Sequence, residues 1–255
     1  ARDCNFIMGT QIDELERNLE KFTGSKYAIS CSSGTDALLL AMMALDIQPD
    51  DEIITTPFTF FATAETIAFL KAKPVFVDID EKTYNIDPKK IEEKISSKTK
   101  AIIPVSLYGQ PCDMDEINQI AKKYNLKVIV DGAQSFGSTY KGISDSNLGD
   151  ISCTSFFPAK PLGCYGDGGA LFTNDEKLAD KIKSLRLHGQ SIRYHHQYIG
   201  MGGRLDTIQA AVLNVKLKYY EKDLKLRQDV ATKYTKALNA KNIETPFVRN
   251  DRTSA

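Results

Sequence analysis

Short apolar runs alternate with helical segments along most of this chain, and this alternation restricts the folds that it can adopt. The order predicts an α/β protein in which a mostly parallel sheet is covered by helices on both faces. The predicted strands are 27–30, 52–55, 74–77, 100–105, 127–130, 151–156 and 170–173, with a further strand closing near Val248. The predicted helices are 11–22, 35–45, 60–70, 88–96, 113–124, 176–186, 205–220 and 224–238.

The composition supports a globular protein and excludes several classes of function. Hydrophobic residues make up 42% of the chain and charged residues 26%. Lys and Arg together number 33, as do Asp and Glu, and the basic residues are dispersed, which argues against nucleic acid as a partner. No apolar run approaches the ~20 residues of a membrane span, and no signal-peptide core is present near the start. The 5 cysteines form no CxxC pair, which favours reduced thiols in the cytoplasm.

The segment SFFPAKPLGCYGDGG, residues 155–169, places a single lysine, Lys160, just before a glycine-rich turn. Its apolar neighbours in sequence are Phe156, Phe157, Leu162 and Tyr165. An amine held among such groups loses solvation of its charged form and becomes a usable nucleophile. Lysines of this kind form Schiff bases with carbonyl cofactors such as pyridoxal 5'-phosphate (PLP). On this segment alone, a lysine that reaches solvent beside a β-turn is an equally open interpretation.

A second candidate feature is the sequence SSGTDA at 32–37, where a strand gives way to a helix. The free N–H groups of a helix N-terminus bind anions, and Gly34 would let a phosphate approach closely. Simple helix capping by Ser33 or Thr35 is the competing interpretation. The sequence is neither a Walker A loop nor GxGxxG, so it predicts neither a nucleoside triphosphate nor a dinucleotide.

Asp131 ends a buried apolar run, and ligands of parallel sheets collect beyond the carboxyl ends of the strands. A carboxylate there can hold a protonated pyridine nitrogen, although turn capping and metal binding are alternatives. Metal is disfavoured, because no second ligand lies at a useful spacing and no residue completes a zinc set with His188, His195 and His196.

Three aromatic residues, Phe58, Phe60 and Phe61, follow Pro57. They are expected in the core. One of them could instead stack on a flat cofactor ring.

Four segments taken together resemble the DegT/DnrJ/EryC1/StrS family of PLP-dependent sugar aminotransferases. They are GTDAL at 34–38, DGAQ at 131–134, SFFPAK at 155–160 and RLDTIQAA at 204–211. The resemblance covers nearly the whole chain and implies a fold-type I PLP-dependent transferase large domain over 1–220. It further implies that 221–255 form a connecting helix and the start of a C-terminal small domain that is largely missing, so that the chain is expected to be a piece of a longer enzyme.

The resemblance also implies roles for individual residues. The implied cofactor-binding residues are Gly34, Thr35, Phe60, Asp131, Gln134, Ser155 and Lys160. Lys160 matches the catalytic Schiff-base lysine, Asp131 the partner of the pyridine nitrogen and Gln134 the neighbour of the phenolic oxygen. Gly34, Thr35 and Ser155 match phosphate-binding positions, and Phe60 the aromatic that stacks on the ring.

Two further positions concern the contact between subunits that the family implies. Arg204 matches a residue that crosses a homodimer toward the carboxylate of the sugar, and a guanidinium fork suits that geometry. Gly202 stands where the family commonly has an asparagine that reaches the partner's cofactor phosphate, so that contact must be lost or replaced.

The implied reaction moves an amino group from L-glutamate to a nucleotide-linked ketosugar, with PLP as cofactor and no metal. Segments 103–110, 154–158, 161–169 and 193–196 resemble the branch that aminates UDP-2-acetamido-2-deoxy-3-oxo-glucuronate for O-antigen synthesis. A different ketosugar acceptor, or a fragment that binds PLP without turnover, are the alternatives. The implied setting is a cytoplasmic homodimer with shared active sites and no nucleic acid or membrane partner.

Overall fold

The computed structural model describes residues 4–241 and 243–255, and within them a seven-stranded sheet forms the centre of the protein. The strands of the described ranges are β1 (Tyr27–Cys31), β2 (Glu52–Thr55), β3 (Lys73–Phe76), β4 (Thr99–Ile102), β5 (Lys127–Asp131), β6 (Thr139–Tyr140), β7 (Ile143–Ser144), β8 (Ile151–Ser155), β9 (Gly169–Thr173), β10 (Gln190–Ile192) and β11 (His195–His196). The order in the main sheet is β1-β9-β8-β5-β4-β2-β3, while β6–β7 and β10–β11 form separate two-stranded sheets.

The pairing in the main sheet confirms the predicted, mostly parallel arrangement. Strands β3, β2, β4, β5 and β8 pair in parallel, whereas β9 runs antiparallel to β8 and β1 antiparallel to β9. Between β8 and β9 the described structure has no crossover helix, and a direct return of this kind gives an antiparallel pair. Because β5 and β8 pair in parallel, their carboxyl ends lie side by side.

Helices cover both faces of the sheet, as predicted. They are α1 (Thr10–Thr23), α2 (Gly34–Ala44), α3 (Ala62–Phe69), α4 (Met114–Tyr124), α5 (Glu176–Arg186) and α6 (Thr207–Asn239). Alternate residues of β5 enter different clusters, with Ile129 packed in the core under α2 and α5, and Val128 and Val130 packed against α4. A third cluster packs α1 and α6 against β1 and β9. None of the described helices combines the length and the apolar character of a membrane span.

The predicted helix at 88–96 is wrong. Two 3-10 turns, Pro88–Lys90 and Glu92–Lys94, take its place, and the chain becomes extended at Ile95. Ile91 is fully buried between the two turns, but the charged residues around it supply no apolar stripe that would hold a longer helix against the sheet.

The predicted break between two C-terminal helices is also wrong, because α6 runs without interruption from Thr207 to Asn239. The intervening residues 221–223 are exposed and polar, but they include no Gly or Pro that would end a helix. The N-terminal half of α6 is anchored by α1, and Ala210, Leu213 and Tyr220 are buried there.

The strand predicted near Val248 is absent from the described residues 243–255. This segment instead lies along the loops of the main body, where Gln110 Nε2 donates to the Phe247 carbonyl at 2.9 Å. Arg252 Nη1 donates to the Pro111 carbonyl at 2.8 Å. Within these described residues, β-type backbone pairing is limited to one antiparallel bridge between Arg252 and Tyr140 of β6. The proposed domain boundary at 220 stays a prediction.

Candidate active site

A cavity of about 690 Å³ opens at the carboxyl ends of β5 and β8, beside the N-terminus of α2. All the predicted cofactor-binding residues line it: Gly34, Thr35, Phe60, Asp131, Gln134, Ser155 and Lys160. They come from four separate parts of the chain, and the parallel sheet brings those parts to one edge. This is the place where ligands bind in open parallel sheets.

The N-terminus of α2 supplies an anion-binding surface to this cavity. Ser33 is the cap, and its hydroxyl accepts the Asp36 N–H at 3.0 Å. Helix geometry leaves the first-turn N–H groups of Gly34 and Thr35 without intrahelical acceptors, and both residues line the cavity. Capping and anion binding are therefore compatible here, because the cap uses a different N–H group.

Close packing of backbone explains the glycine at position 34. A Cβ on Gly34 would lie 2.6 Å from the Ser155 Cβ, and one on Gly169 would lie 2.5 Å from the Ser33 carbonyl carbon. The two glycines thus allow the start of α2 to rest directly on the ends of β8 and β9. Gly34 was predicted to let a phosphate approach, and in the structure it also brings Ser155 next to the anion-binding turn.

Asp131 is the last residue of β5, and its side chain is held by two hydrogen bonds. Thr63 Oγ1 donates to Oδ2 at 2.7 Å, and the Ala133 N–H donates to Oδ1 at 3.2 Å. Burial raises the pKa of Asp131, while these two donors and the Lys160 ammonium oppose the rise. The carboxyl is 5% exposed and lines the cavity, so it is placed to receive a cationic N–H group from a ligand.

Gln134 is oriented by the neighbouring loop. Its Oε1 accepts the Tyr108 N–H at 2.8 Å. With the carbonyl oxygen engaged in this way, the N–H₂ end of the carboxamide is available as a hydrogen-bond donor. That chemistry suits an anionic oxygen on a ligand in the cavity.

Lys160 is half-buried and lines the cavity, in a tight turn where its N–H donates to the Phe157 carbonyl at 2.9 Å. The expected apolar enclosure of the amine is wrong. Phe156 and Leu162 pack into the core, but Phe157 and Tyr165 are 50% and 76% exposed. The turn therefore presents the lysine to a cavity whose lining includes the carboxylates of Asp131 and Asp167.

The aromatic residues after Pro57 were predicted in the core, and this is wrong. Phe58, Phe60 and Phe61 are 43%, 70% and 70% exposed. They belong to the segment that leads into α3 at the cavity edge rather than to a packed helix face. Phe60 lines the cavity with most of its surface free, which agrees with the alternative that one of the three stacks on a flat ring.

Arg204 does not line the cavity of its own chain. It is half-buried, and the adjacent Gly203 carbonyl accepts the Ser32 N–H at 3.0 Å, close to the start of α2. A Cβ on Gly202 would lie 3.0 Å from the His188 ring, so that imidazole occupies the space beside position 202. The roles expected for Arg204 and position 202 between subunits stay predictions.

Further residues of the site were not predicted from the sequence. Thr59, Tyr108, Asp167 and Arg227 line the cavity, and Thr63 supports Asp131 from behind it. The partner of Thr63, Asp131, lies 68 positions away in sequence, so no local spacing signalled the contact. His195 and His196 lie on the exposed β10–β11 hairpin, with His188 just before it. No group of three His, Cys, Asp or Glu residues in the described ranges could hold a metal ion.

The sequence model of the DegT/DnrJ/EryC1/StrS aminotransferase family matches residues 1–255. The chain belongs to this family. Its cofactor is accordingly pyridoxal phosphate, and the chain is an aminotransferase family member with the expected fold.

Three curated relatives illustrate the range of the family. UDP-2-acetamido-2-deoxy-3-oxo-D-glucuronate aminotransferase of Pseudomonas aeruginosa is 55% identical over 99% of this chain and 70% of its own length. A pleiotropic regulatory protein of Geobacillus stearothermophilus is 47% identical over 93% of this chain and 64% of its own length. dTDP-3-amino-3,6-dideoxy-alpha-D-galactopyranose transaminase of Aneurinibacillus thermoaerophilus is 46% identical over 97% of this chain and 68% of its own length. The chain thus spans roughly two thirds of the length of these relatives.

Solved structures support the same assignment. A DegT/DnrJ/EryC1/StrS aminotransferase from Brucella abortus superposes with a TM-score of 0.96 at 39% identity, over 99% of this chain and 70% of that one. A Bacillus subtilis protein with bound cofactor PMP superposes with a TM-score of 0.90 at 35% identity, over 96% of this chain and 57% of that one.

The residues of the cavity fit a pyridoxal phosphate group chemically. The first-turn N–H groups of α2 and the Ser155 hydroxyl suit its phosphate, and the buried Asp131 carboxyl suits its ring nitrogen. The exposed Phe60 ring offers a stacking surface, and Lys160 offers the amine for covalent attachment. Each group of the cofactor thus has a chemically suitable side chain in one cavity of this aminotransferase.

Proposed function

We propose that the chain carries the cofactor-binding domain of a sugar aminotransferase that uses L-glutamate as donor and UDP-2-acetamido-2-deoxy-3-oxo-glucuronate as acceptor. The reaction would serve the synthesis of O-antigen or another surface polysaccharide. The observation that carries the proposal is the meeting of Lys160, Asp131, Gln134 and the anion-binding start of α2 in one cavity. These groups suit transamination, and the turn at 32–37 lacks the GxGxxG pattern of a dinucleotide site.

When bound, PLP supplies an electrophilic carbon and a ring that accepts the electrons released at the donor's α-carbon. Lys160 Nζ would attach the cofactor and, once displaced by the donor amine, would move a proton from the donor α-carbon to the cofactor carbon that the amine had held; the reverse transfer would deliver a proton to the acceptor carbon in the second half of the reaction. Asp131 would hold a proton at the ring nitrogen, and the Thr63 and Ala133 donors keep its carboxylate oriented. The Gln134 N–H₂ group would donate to the phenolic oxygen, and Gly34, Thr35 and Ser155, which line the same cavity, would hold the phosphate.

Aromatic side chains and an arginine beside the cavity could bind the nucleotide part of the acceptor. Phe58, Tyr84 and Tyr108 form an exposed aromatic cluster with ring centroids 5.8 to 6.5 Å apart. Arg227 lines both this cavity and an adjoining groove of about 1000 Å³, which Tyr84 and Tyr108 also line. Aromatic faces suit a nucleobase and a guanidinium suits a diphosphate. The names of the Pseudomonas and Aneurinibacillus relatives support a nucleotide-linked sugar.

The proposed enzyme is a cytoplasmic homodimer with shared active sites. Large apolar side chains stand exposed on and after the β10–β11 hairpin, where Ile192, Tyr194 and Ile199 are 70%, 76% and 94% exposed. Burial against a second copy would cover them and would bring Arg204 toward the partner's cavity, where its guanidinium suits the uronate carboxylate. Free cysteines at 31, 112, 153 and 164 are buried and unpaired with one another, in keeping with a reducing compartment.

A single-turnover experiment tests the proposal. The purified chain is loaded with PLP and treated with L-glutamate, and then with UDP-linked 3-ketosugars, with product masses as the readout. We expect one equivalent of 2-oxoglutarate, followed by an aminosugar from the uronate acceptor. Borohydride reduction and peptide mass mapping should place the cofactor on Lys160. A labelled Lys160 without glutamate turnover would support a binder without turnover, and preference for a neutral ketosugar would exclude the uronate.

A further inference from the structure

Two threonine hydroxyls lead from the cavity wall to the Asp131 carboxyl. Thr63, in the first turn of α3, is fully buried, and its Oγ1 lies 2.7 Å from Asp131 Oδ2. Thr59 lines the cavity, and its Oγ1 lies 2.9 Å from Thr63 Oγ1.

The direction of this relay follows from the number of protons. A threonine hydroxyl has one proton to donate. Thr63 gives its proton to the carboxylate, so Thr59 must donate to Thr63. Each bond in the chain therefore points toward Asp131 and favours its charged, acceptor-only form.

The hydrogen bond from the Thr63 hydroxyl opposes the effect of burial on the pKa of Asp131. Burial is the largest influence on the pKa of Asp131 and raises it, and the Thr63 hydroxyl is the largest influence in the opposite direction. The Ala133 N–H and the Lys160 ammonium also stabilise the carboxylate. The other titratable groups that interact with Asp131 are Asp145, Cys153 and Cys112.

The geometry also fixes which part of the carboxyl is free. Thr63 occupies Oδ2 from the α3 side, and Ala133 occupies Oδ1 from the loop after β5. A carboxylate held at both oxygens cannot rotate without breaking a bond, and each oxygen keeps further acceptor capacity. The carboxyl is thereby fixed in orientation before any ligand arrives.

We infer that Thr63, supported by Thr59, is a positioning residue that holds Asp131 as an oriented carboxylate for the cofactor's ring nitrogen. This inference rests on the proposed function for its ligand. It concerns only residues of this chain, and Thr63 itself does not line the cavity.

The first test is an NMR titration of the cofactor-free protein, with aspartate carboxyls labelled with ¹³C and Asp131 assigned by Asp131→Asn. Thr63→Val keeps the shape of the side chain and removes the donor. We expect it to raise the pKa of Asp131 by about one to two units. Thr63→Ser keeps the hydroxyl and should restore the wild-type titration. Thr59→Val should give a smaller shift in the same direction.

Thr66→Val is the matched control. Thr66 lies one turn further along α3, is equally buried, and gives its hydroxyl to the Ala62 carbonyl at 2.9 Å instead of to Asp131. Its loss should change thermal stability without moving the Asp131 titration.

The second test measures the dissociation constant of PLP by equilibrium dialysis. We expect Thr63→Val to weaken binding about tenfold and Thr63→Ser to restore it, with Thr66→Val unchanged. An unshifted Asp131 titration in Thr63→Val would overturn the inference, and so would a shifted titration with unchanged PLP affinity. If the wild-type chain bound no PLP, the proposed function would fail, and the cofactor-free titration alone would decide whether Thr63 controls Asp131.

Discussion

Lys160 and Asp131 line one cavity from the ends of neighbouring parallel strands, with Asp131 closing β5 and Lys160 in the turn that follows β8. Their charges interact: burial raises the pKa of the Asp131 carboxyl, and the Lys160 ammonium opposes part of that rise. The sheet thus fixes the separation of a nucleophilic amine and an anionic acceptor, and a flat ring that contacts both must lie across the ends of these strands.

Replacing Asp131 by asparagine should therefore impair chemistry more than folding. A carboxamide keeps the size of the side chain but cannot hold a proton at a pyridine nitrogen. We expect the rate of the glutamate half-reaction to fall at least about 100-fold. Stopped-flow absorbance of the bound cofactor measures that rate, with thermal unfolding as the control for folding. A rate within a factor of two or three of wild type would remove Asp131 from its proposed role.

Gly34→Ala should weaken cofactor binding. The added Cβ would come within 2.6 Å of the Ser155 Cβ, so the start of α2 or the end of β8 must move. Overpacking of this kind costs about 1–3 kcal/mol, and here the displaced atoms include the N–H groups that bind the phosphate. We expect a dissociation constant for PLP at least about tenfold higher.

Gly203→Ala provides the comparison for this prediction, because its Cβ would meet its nearest neighbour at an ordinary 3.5 Å. Equal PLP affinity in Gly34→Ala and Gly203→Ala would contradict the role assigned to the close approach of Gly34 and Ser155.

Much of the fold was accessible from the sequence, because buried parallel strands have a strong apolar pattern. Strand 52–55 and helix 176–186 are confirmed to the residue. Elements stabilised by something other than an apolar stripe were harder to predict. The 88–96 segment forms 3-10 turns around the single buried Ile91, and α6 continues through polar residues that resemble a loop.

The cavity shows the same division between what local sequence encodes and what it does not. The place of Asp131 was predictable, because it ends a strand and the carboxyl ends of parallel strands meet at one edge, whereas Ser155 was assigned through the family resemblance. The exposure of Phe60 was not, since an aromatic run has the composition of a core. Thr63 was missed because its partner lies 68 positions away in sequence. Contacts of that kind depend on the packing of α3 against β5.

The stability of the cofactor-free protein should depend on the ionisation of Asp145. This carboxyl is 1% exposed and accepts hydrogen bonds from the Ser106 and Ser135 hydroxyls. Burial raises its pKa from 3.8 to about 6. Between these pH values the folded chain keeps a proton that the unfolded chain has lost, so the stabilisation is complete below about pH 4 and is lost as the pH rises through 6.

Asp145→Asn removes this titration. We expect the free energy of unfolding of the variant, relative to wild type, to rise by up to about 3 kcal/mol between pH 4 and pH 7. Urea unfolding at several pH values measures the difference. The exposed Asp229→Asn is the control and should show no such trend. A constant difference between Asp145→Asn and wild type across this range would contradict the assignment.

The ion pair between Arg186 and Glu16 should be a major source of stability at the edge of the sheet. Arg186 Nη1 lies 2.6 Å from Glu16 Oε1 and 2.7 Å from the Ser30 carbonyl, and the Arg186 side chain is 4% exposed. The same Glu16 oxygen accepts the Ser30 N–H at 2.9 Å, so the pair joins α1, β1 and α5. Arg186→Met leaves a largely buried carboxylate without its cation and should cost about 3–5 kcal/mol in urea unfolding.

The more exposed pair of Lys181 and Asp46, also 2.6 Å apart, offers the comparison, and Lys181→Met should cost no more than about 1 kcal/mol. Similar costs for the two variants would show that burial of the Arg186 pair adds nothing to its effect. A double variant, Glu16→Gln with Arg186→Met, should recover part of the loss, because it removes the uncompensated charge that makes the single change expensive.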